Sequence, residues 1–285
     1  MSIALVLEGG AKRGIYTAGV LDVLLENNLV ADAVIGVSAG AVHGASYTSK
    51  QIGRSIRYYM KHSNNYKFMS LLNWFLTGNV VDTKFCYHEL PEKLDPFDHE
   101  TFENSKTKFY TVCSNVETGK SEYILCKELK RSITYLRASA SLPIFSKIVE
   151  IDEKKLLDGG ICDSIPLKAS IDMGYDKNIV VLTRPEGYKK KKSSLLTISR
   201  WVYRKFPNFI KALENRHIMY NDELNFIEEK TSTSDNTIVI RPSEDLGVKH
   251  MEKDLNKVKA MYELGRKDAL KILDDLKVFW EKNEK

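Results

Sequence analysis

Residues 33–50 of this 285-residue chain read AVIGVSAGAVHGASYTSK. The first five form a short apolar run, which is typical of a buried β-strand, and the small residues after the serine favour a closely packed helix. Between them, residues 36–40 match G-x-S-x-G, the nucleophile elbow in which a serine sits on a tight strand-to-helix turn with an exposed hydroxyl. Gly36 and Gly40 would let the backbone fold tightly around Ser38. A plain glycine-rich turn gives the same letters, so the surrounding sequence has to decide between these interpretations.

Strand and helix patterns alternate along the chain on both sides of this turn. Such alternation predicts an α/β fold, a three-layer α/β/α arrangement with a mostly parallel central sheet. Catalytic residues in these sheets lie at the carboxyl ends of the strands. The predicted strands are 2–7, 33–37, 109–113, 123–125, 155–157, 179–182 and 238–240, and the predicted helices include 15–27, 39–50, 51–62, 130–138, 164–173 and a single amphipathic helix over about the last 35 residues.

Two further glycine-rich motifs follow predicted strands. The first consists of Gly9, Gly10, Ala11, Lys12, Arg13 and Gly14. Its backbone N–H groups predict either a phosphate cradle or an oxyanion hole, and a capped loop is the alternative. It is not the dinucleotide-binding fingerprint, because Ala11 stands where that motif needs glycine. The second motif, Asp158-Gly159-Gly160, is by itself often only a turn.

Together, these three motifs resemble the patatin-like phospholipase family. Residues 138–143 (ASASLP) strengthen the resemblance, which covers about residues 1–185, and residues 216–221 resemble bacterial members. The resemblance implies a three-layer α/β/α fold, a Ser38–Asp158 dyad, an oxyanion hole in the glycine-rich loop and no catalytic metal or other cofactor. The family loop usually carries a third glycine where this chain has Ala11. We therefore expect a negative φ at Ala11, because a methyl group is otherwise poorly tolerated there.

The resemblance also suggests how the chain is organised. Residues 1–185 would form a patatin-like catalytic core, and residues 186–285 would form a partly helical C-terminal extension packed on it. The apolar segment 66–81 is interpreted as a core helix, with a lid or an acyl-chain groove as the alternative.

A serine–aspartate pair can perform acyl transfer if the aspartate accepts the serine proton. An exposed aspartate, with a pKa near 3.9, is a weak base at neutral pH, so Asp158 would need a partly buried site that raises its pKa. Ser38 would then attack the carboxylic ester of a phospholipid or another lipid, and the amides near Gly10 and Ala11 would hold the oxyanion. Arg13 would position the loop or meet a substrate phosphate, unless it is a solvated helix-start residue.

The net charge of +5 is too mild to indicate nucleic acid as a partner. Scattered cysteines and no secretory signal predict a cytoplasmic protein, and no apolar run is long enough to span a membrane. Lys189, Lys190, Lys191 and Lys192 begin a basic segment, interleaved with aromatic residues, that predicts peripheral contact with an anionic membrane at its inner surface. A surface loop followed by a core-packing helix is the alternative.

Two other functions fit parts of the sequence. A Ser–His–Asp esterase would use Ser38, Asp158 and then His217 or His250, which keeps the required chain order. A non-catalytic lipid- or anion-binding protein would use only the glycine-rich turn. His43 lies one helical turn after Ser38 and is interpreted as a packing residue.

Overall fold

The computed structural model describes residues 1–281. Its eight strands form one sheet in the order β5-β6-β3-β2-β1-β7-β8, with β4 also paired to β3. The strands are β1 (Ile3–Leu7), β2 (Ala33–Val37), β3 (Lys108–Asn115), β4 (Ser121–Leu125), β5 (Val149–Ile151), β6 (Lys154–Asp158), β7 (Lys177–Val181) and β8 (Thr237–Ile240).

Most of the sheet is parallel. The pairs β1–β2, β2–β3, β1–β7 and β7–β8 are parallel, whereas β3–β4, β3–β6 and β5–β6 are antiparallel. The predicted α/β fold with a mostly parallel sheet is confirmed, and the first two strands are neighbours as expected. Strand β5 was missed, because its sequence, Val-Glu-Ile, is interrupted by a charged residue and forms no continuous apolar run.

Helices cover both faces of the sheet. Alternate side chains of β1 point to opposite faces. Ile3, Leu5 and Leu7 pack with the helices over residues 15–26, 39–48 and 255–271, whereas Val6 packs with those over residues 167–172 and 207–233. A π-helical segment (Phe85–Leu94) and two 3₁₀ turns (Ala11–Gly14 and Gly159–Ile161) complete the described elements. The helices are α1 (Ile15–Glu26), α2 (Ala39–Thr48), α3 (Arg54–His62), α4 (Leu71–Thr77), α5 (His99–Glu103), α6 (Leu129–Ser139), α7 (Leu167–Asp172), α8 (Leu196–Val202), α9 (Pro207–Thr233), α10 (Leu255–Lys271) and α11 (Leu273–Glu281).

Two sequence expectations are wrong. The predicted single C-terminal helix is two helices, α10 and α11, separated at Ile272, and its last residues, 282–285, lie outside the described chain. The predicted core helix in segment 66–81 is α4, whose Phe75 and Leu76 are 77% and 67% exposed. Within residues 1–281, no helix combines the length and apolarity needed to cross a bilayer.

Helix α10 packs directly on α1 through two glycines. A Cβ atom added to Gly19 would lie 2.1 Å from the Tyr262 carbonyl oxygen, and one added to Gly265 would lie 2.1 Å from the Tyr16 carbonyl oxygen. The two backbones can therefore approach each other only because both positions lack a side chain. Hydrogen bonds from Tyr16 to Asp268 and from Tyr262 to Asp22, at 3.1 and 2.7 Å, close the two sides of this contact.

We expect Gly265→Ala to destabilise the protein, because the added methyl group would force the two helices apart. Overpacking of this kind costs about 1–3 kcal/mol. Helix propensity alone would change stability by about 1 kcal/mol in the opposite direction. Urea denaturation should show a lower midpoint, with exposed Lys267→Ala on the same helix as the matched control. A midpoint equal to or above that of the wild type would contradict this account of the packing.

Candidate active site

Ser38 occupies a strained turn between β2 and α2. Its backbone has φ 53° and ψ −120°, a left-handed conformation that costs a non-glycine residue about 1–3 kcal/mol. The neighbouring glycines make this turn possible. A Cβ atom at Gly36 would lie 2.5 Å from the Ala41 Cα, and one at Gly40 would lie 2.5 Å from the Leu7 carbonyl oxygen. The backbone geometry is that of a nucleophile elbow.

The segment 138–143 links the backbone at Ser38 to the backbone at Asp158. The Ser38 amide donates to the Ser139 hydroxyl oxygen at 2.9 Å, and the Asp158 amide donates to the Ser141 carbonyl oxygen at 2.9 Å. Both amides are buried, so each needs such a partner. The segment therefore fixes the relative position of these two residues.

Asp158 reaches the site from an unexpected direction. It is the last residue of β6, which runs antiparallel to β3 and pairs Asp158 with Cys113. Asp158 lies at the carboxyl end of a strand, as the sequence predicted, but that strand belongs to the antiparallel part of the sheet. Because β6 runs back toward the centre of the sheet, its last residue still ends at the edge where β2 presents Ser38.

The Asp158 carboxyl group is almost completely buried, with 2% of the residue exposed. Its Oδ1 atom accepts from the Gly160 amide at 2.9 Å, and within residues 1–281 its Oδ2 atom has no hydrogen-bond partner of normal geometry. Burial raises the pKa of this carboxyl group. The Arg216 charge, the Ser38 hydroxyl and the Gly160 amide each lower it in part. A buried carboxyl beside a serine is thus a stronger base than an exposed one.

The glycine-rich loop lies against Ser38. A Cβ atom at Gly9 would lie 2.9 Å from the Ser38 Cβ, and one at Gly10 would lie 2.7 Å from the Thr183 hydroxyl oxygen. The expectation of a negative φ at Ala11 is wrong: its φ is 48°, so this position carries the strain that the missing glycine would avoid.

The members of this loop differ in what they offer the site. Gly9, Gly10 and Ala11 line the same cavity as Ser38. The Arg13 amide donates to the Gly10 carbonyl oxygen at 3.1 Å, which leaves it unavailable to a ligand. The Lys12 side chain points elsewhere and donates to Ser63 and to the Glu252 carbonyl oxygen.

Two cavities meet at Ser38. The first has a volume of about 400 Å³ and is lined by Asp158, the glycine-rich loop and several basic side chains. The second, of about 130 Å³, is mainly apolar and is lined by Tyr59, Phe68, Leu129, Leu136 and similar residues. Ala11, Ser38 and Leu142 border both cavities, so the serine stands at the junction of a polar and an apolar space.

The region after residue 186 contributes side chains to the polar cavity that sequence reasoning did not assign to it. Arg216 donates from Nε to the Gly160 carbonyl oxygen at 2.6 Å. The Tyr220 hydroxyl donates to Glu8 at 2.8 Å and so joins α9 to the end of β1. The resemblance of residues 216–221 to bacterial relatives was the available signal, but no spacing rule connects them to Ser38.

The histidines considered earlier fall in two places. His217 and His250 line the polar cavity, and burial, with several nearby cations, lowers the pKa of His250 to about 4. Neither forms a hydrogen bond to Asp158 within the described chain. His43 is fully enclosed, with its Nδ1 atom 2.9 Å from the Ser55 hydroxyl oxygen and its ring packed against Tyr59.

The basic run is not a uniform surface patch. Lys190 and Lys191 line the polar cavity, and the Lys190 Nζ atom lies 4.1 Å from the centre of the Tyr220 ring. Lys189 and Lys192 are exposed. Across residues 1–281, no cluster of three or more His, Cys, Asp or Glu side chains could hold a metal ion.

The fold and the turn at Ser38 define a three-layer α/β protein with a serine on a strained turn between strand and helix. The family model of patatin-like phospholipases matches residues 5–171, which is more than half of the chain. The chain therefore belongs to the patatin-like phospholipase family, as its motifs predicted. A model described as a domain of unknown function (DUF6363) matches residues 206–281.

Curated relatives are identical to this chain at about a quarter of the aligned positions. The uncharacterized protein YjjU of Escherichia coli K12 is 26% identical over 234 residues, covering 80% of this chain and 65% of YjjU. Lysophospholipase nte1 of Aspergillus terreus is 26% identical over 292 residues, covering 97% of this chain but 18% of its own length. Among solved structures, VipD of Legionella pneumophila aligns with a TM-score of 0.47 and 13% identity over 96% of this chain and 66% of VipD.

We expect Arg216→Gln to raise the pKa of the Asp158 carboxyl group further. The Arg216 cation stabilises the ionised carboxylate, so its removal makes ionisation less favourable. The carboxyl ¹³C chemical shift of Asp158, followed by NMR against pH, measures this directly. Exposed Lys211→Gln on the same helix serves as the control. An unchanged or lowered pKa in the Arg216 variant would show that this cation does not act on Asp158.

Proposed function

We propose that this protein is a serine acyl hydrolase of the phospholipase A or lysophospholipase type, which cleaves carboxylic esters of lipids with a Ser38–Asp158 dyad. One observation carries the proposal: Ser38, on its strained turn, lines the same cavity as the buried Asp158 carboxyl group, whose pKa its hydroxyl lowers and whose Oδ2 atom has no hydrogen-bond partner within the described chain. Membership of the patatin-like phospholipase family supports it. So does the similarity to nte1, a protein named lysophospholipase.

The two cavities suggest how an ester would bind. The apolar cavity suits an acyl chain, because burying its methylene groups is favourable by about 0.8 kcal/mol each. The polar cavity suits the head group. An ester joining the two parts would then lie at Ser38, where the cavities meet.

The reaction would proceed in two steps. Asp158 accepts the Ser38 proton while Oγ attacks the ester carbonyl, and the amides of Gly10 and Ala11 stabilise the oxyanion of the tetrahedral intermediate. The leaving alcohol takes the proton from Asp158, and the acyl group stays on Ser38. Asp158 then removes a proton from water, which attacks the acyl-enzyme, and the fatty acid departs as Ser38 recovers its proton.

We expect Ser38→Ala and Asp158→Asn each to reduce kcat on lipid esters by about a thousandfold or more, because each removes a reacting group. A fluorophosphonate probe should label Ser38 in the wild type. The controls His217→Ala and His250→Ala should retain most of kcat, since the dyad needs no imidazole. Near-normal turnover by Asp158→Asn would exclude the dyad, and a severe loss in either histidine variant would favour the triad. A serine that the probe never labels would favour a non-catalytic lipid-binding protein.

We also propose that the cavity mouth docks on an anionic membrane through α4 and α8. Trp74 of α4 donates from Nε1 to the Ile144 carbonyl oxygen at 3.0 Å, and the Ile144 amide donates to the Tyr203 hydroxyl oxygen, just after α8, at 2.9 Å. Both helices therefore flank the same loop, and Ile144 and Phe145 of that loop line the polar cavity. A lipid could pass from a bilayer into the site along this route.

The chemistry of this mouth fits a bilayer surface. Lys190 and Lys191 line the cavity, exposed Lys189 and Lys192 adjoin them in the chain, and exposed Arg204 follows α8, whereas Arg200 of α8 is paired with Glu214 at 2.6 Å. Apolar side chains that penetrate the interface and cations that meet anionic head groups are the two components of peripheral binding. Four free cysteines suit the reducing cytoplasmic side of such a membrane. The exposed apolar residues are Leu71, Leu72, Phe75 and Leu76 on α4 with Ile198, Trp201 and Val202 on α8.

We expect the double variant Phe75→Asp/Trp201→Asp to lose at least about tenfold of its partitioning onto phosphatidylglycerol vesicles, because two large side chains no longer enter the interface. Neutralising Lys189 and Lys192 should weaken binding in a salt-dependent manner. Vesicle co-sedimentation measures both effects. The control is Val278→Asp, since Val278 is 49% exposed on α11, a helix that packs at the opposite edge of the sheet. Unchanged binding of the double variant would remove α4 and α8 from the docking face.

A further inference from the structure

The polar cavity carries more positive than negative charge. Arg13, Arg184, Lys190, Lys191 and Arg216 line it, and the carboxylates in its wall are those of Glu8 and Asp158. Glu8 already accepts hydrogen bonds from Tyr220 and from the Thr183 amide. The cations therefore exceed the carboxylates that could neutralise them.

Arg13 is the clearest sign of a missing anion. Its residue is only 7% exposed, yet within the described chain its Nε atom has no hydrogen-bond partner and its guanidinium forms no ion pair. The Arg184 Nε atom is likewise buried without a partner. A buried guanidinium is expensive to leave unpaired, and its planar donors match the oxygen atoms of phosphate.

The basic groups act on one another through space. Burial and the Arg216 charge lower the pKa of Lys190 to about 7. Burial and the Arg184 charge also lower the pKa of Arg13. Mutual repulsion of this kind is relieved when an anion binds among the cations.

The aromatic rings of the cavity are not free to bind a quaternary ammonium head group. A choline group would bind on the faces of aromatic rings. The Tyr188 ring face is covered by the Arg184 guanidinium at 4.4 Å, and the Tyr220 ring face is covered by Lys190 at 4.1 Å. A second cation would therefore meet repulsion where it would otherwise stack.

We propose that Arg13, Arg184 and Lys190 form a phosphate subsite that selects single-chain lipids ending in a phosphate monoester over those ending in phosphocholine. The inference rests on the proposed acyl hydrolase function, because it uses Ser38 as the point where the ester lies. With the acyl chain in the apolar cavity, a dianionic head group would enter the cationic one. Charge-assisted hydrogen bonds from arginine to phosphate would hold it there.

The test compares three substrates that share one acyl chain: oleoyl-lysophosphatidate, oleoyl-lysophosphatidylcholine and monooleoylglycerol. We expect wild-type kcat/KM to favour the phosphate monoester over the choline ester by about tenfold or more. Arg184→Gln should lower kcat/KM for lysophosphatidate about tenfold more than for monooleoylglycerol. Arg241→Gln is the matched control, because this half-buried arginine lines a separate small cavity that Tyr188 also borders and does not line the catalytic cavity.

Binding of inorganic phosphate tests the same site without relying on substrate preference. It should competitively inhibit monooleoylglycerol cleavage and raise the Tm of the Ser38→Ala protein, and both effects should weaken in the Arg184→Gln background. Ser38-dependent cleavage that shows no preference for lysophosphatidate would overturn the head-group subsite and leave the acyl hydrolase standing. Phosphate binding without such a preference would mean a site for free phosphate and would equally overturn it.

The results would differ if the protein is not an acyl hydrolase. If none of the three esters is cleaved, the proposed function fails, and the phosphate-induced rise in Tm still decides whether the cations bind an anion. In that case, a rise in Tm that is larger with oleoyl-lysophosphatidate than with oleoyl-lysophosphatidylcholine and that disappears in Arg184→Gln would support the subsite, whereas no such difference in the Ser38→Ala protein would exclude it.

Discussion

The strained backbone of Ser38 is the constraint on which the rest of this structure depends. A residue with φ 53° can persist only where its surroundings leave no other conformation. Some of those surroundings are local and some are distant in the chain. Gly36 lets α2 approach β2, Gly40 lets α2 approach the end of β1, and Ser139 binds the Ser38 amide. The free-energy cost of the strained Ser38 backbone is thus offset by packing at the centre of the sheet.

A second constraint comes from the buried charged side chains around this turn, only some of which have a partner of opposite charge. Asp158 is buried, and the cation that compensates it most, Arg216, comes from α9 rather than from the residues around the motifs. Arg13 and Arg184 are placed beside the same cavity with no carboxylate paired to them in residues 1–281. In a medium of low dielectric constant such charges act strongly on one another and on any ligand, so the site is polarised before a substrate arrives.

Sequence reasoning worked where a local pattern has one structural meaning. Short, mostly apolar runs predicted seven of the strands, and the G-x-S-x-G turn is where the pattern placed it. It failed where burial depends on the rest of the molecule. The apolar residues of α4 predicted a core helix, yet within residues 1–281 its Phe75 and Leu76 are 77% and 67% exposed. Composition cannot distinguish a helix buried in the core from one that presents the same residues to the outside.

The sequence by itself determined the α/β class, the family, and the turn that carries Ser38, because these depend on the order of short motifs. Only the tertiary structure decided that Asp158 arrives on an antiparallel strand, that Ala11 has a positive φ and that Arg216 and Lys190 turn toward the cavity. The physical reason is that strand direction, backbone strain and side-chain burial are set by contacts between residues far apart in the chain. A local pattern of letters carries no information on those contacts.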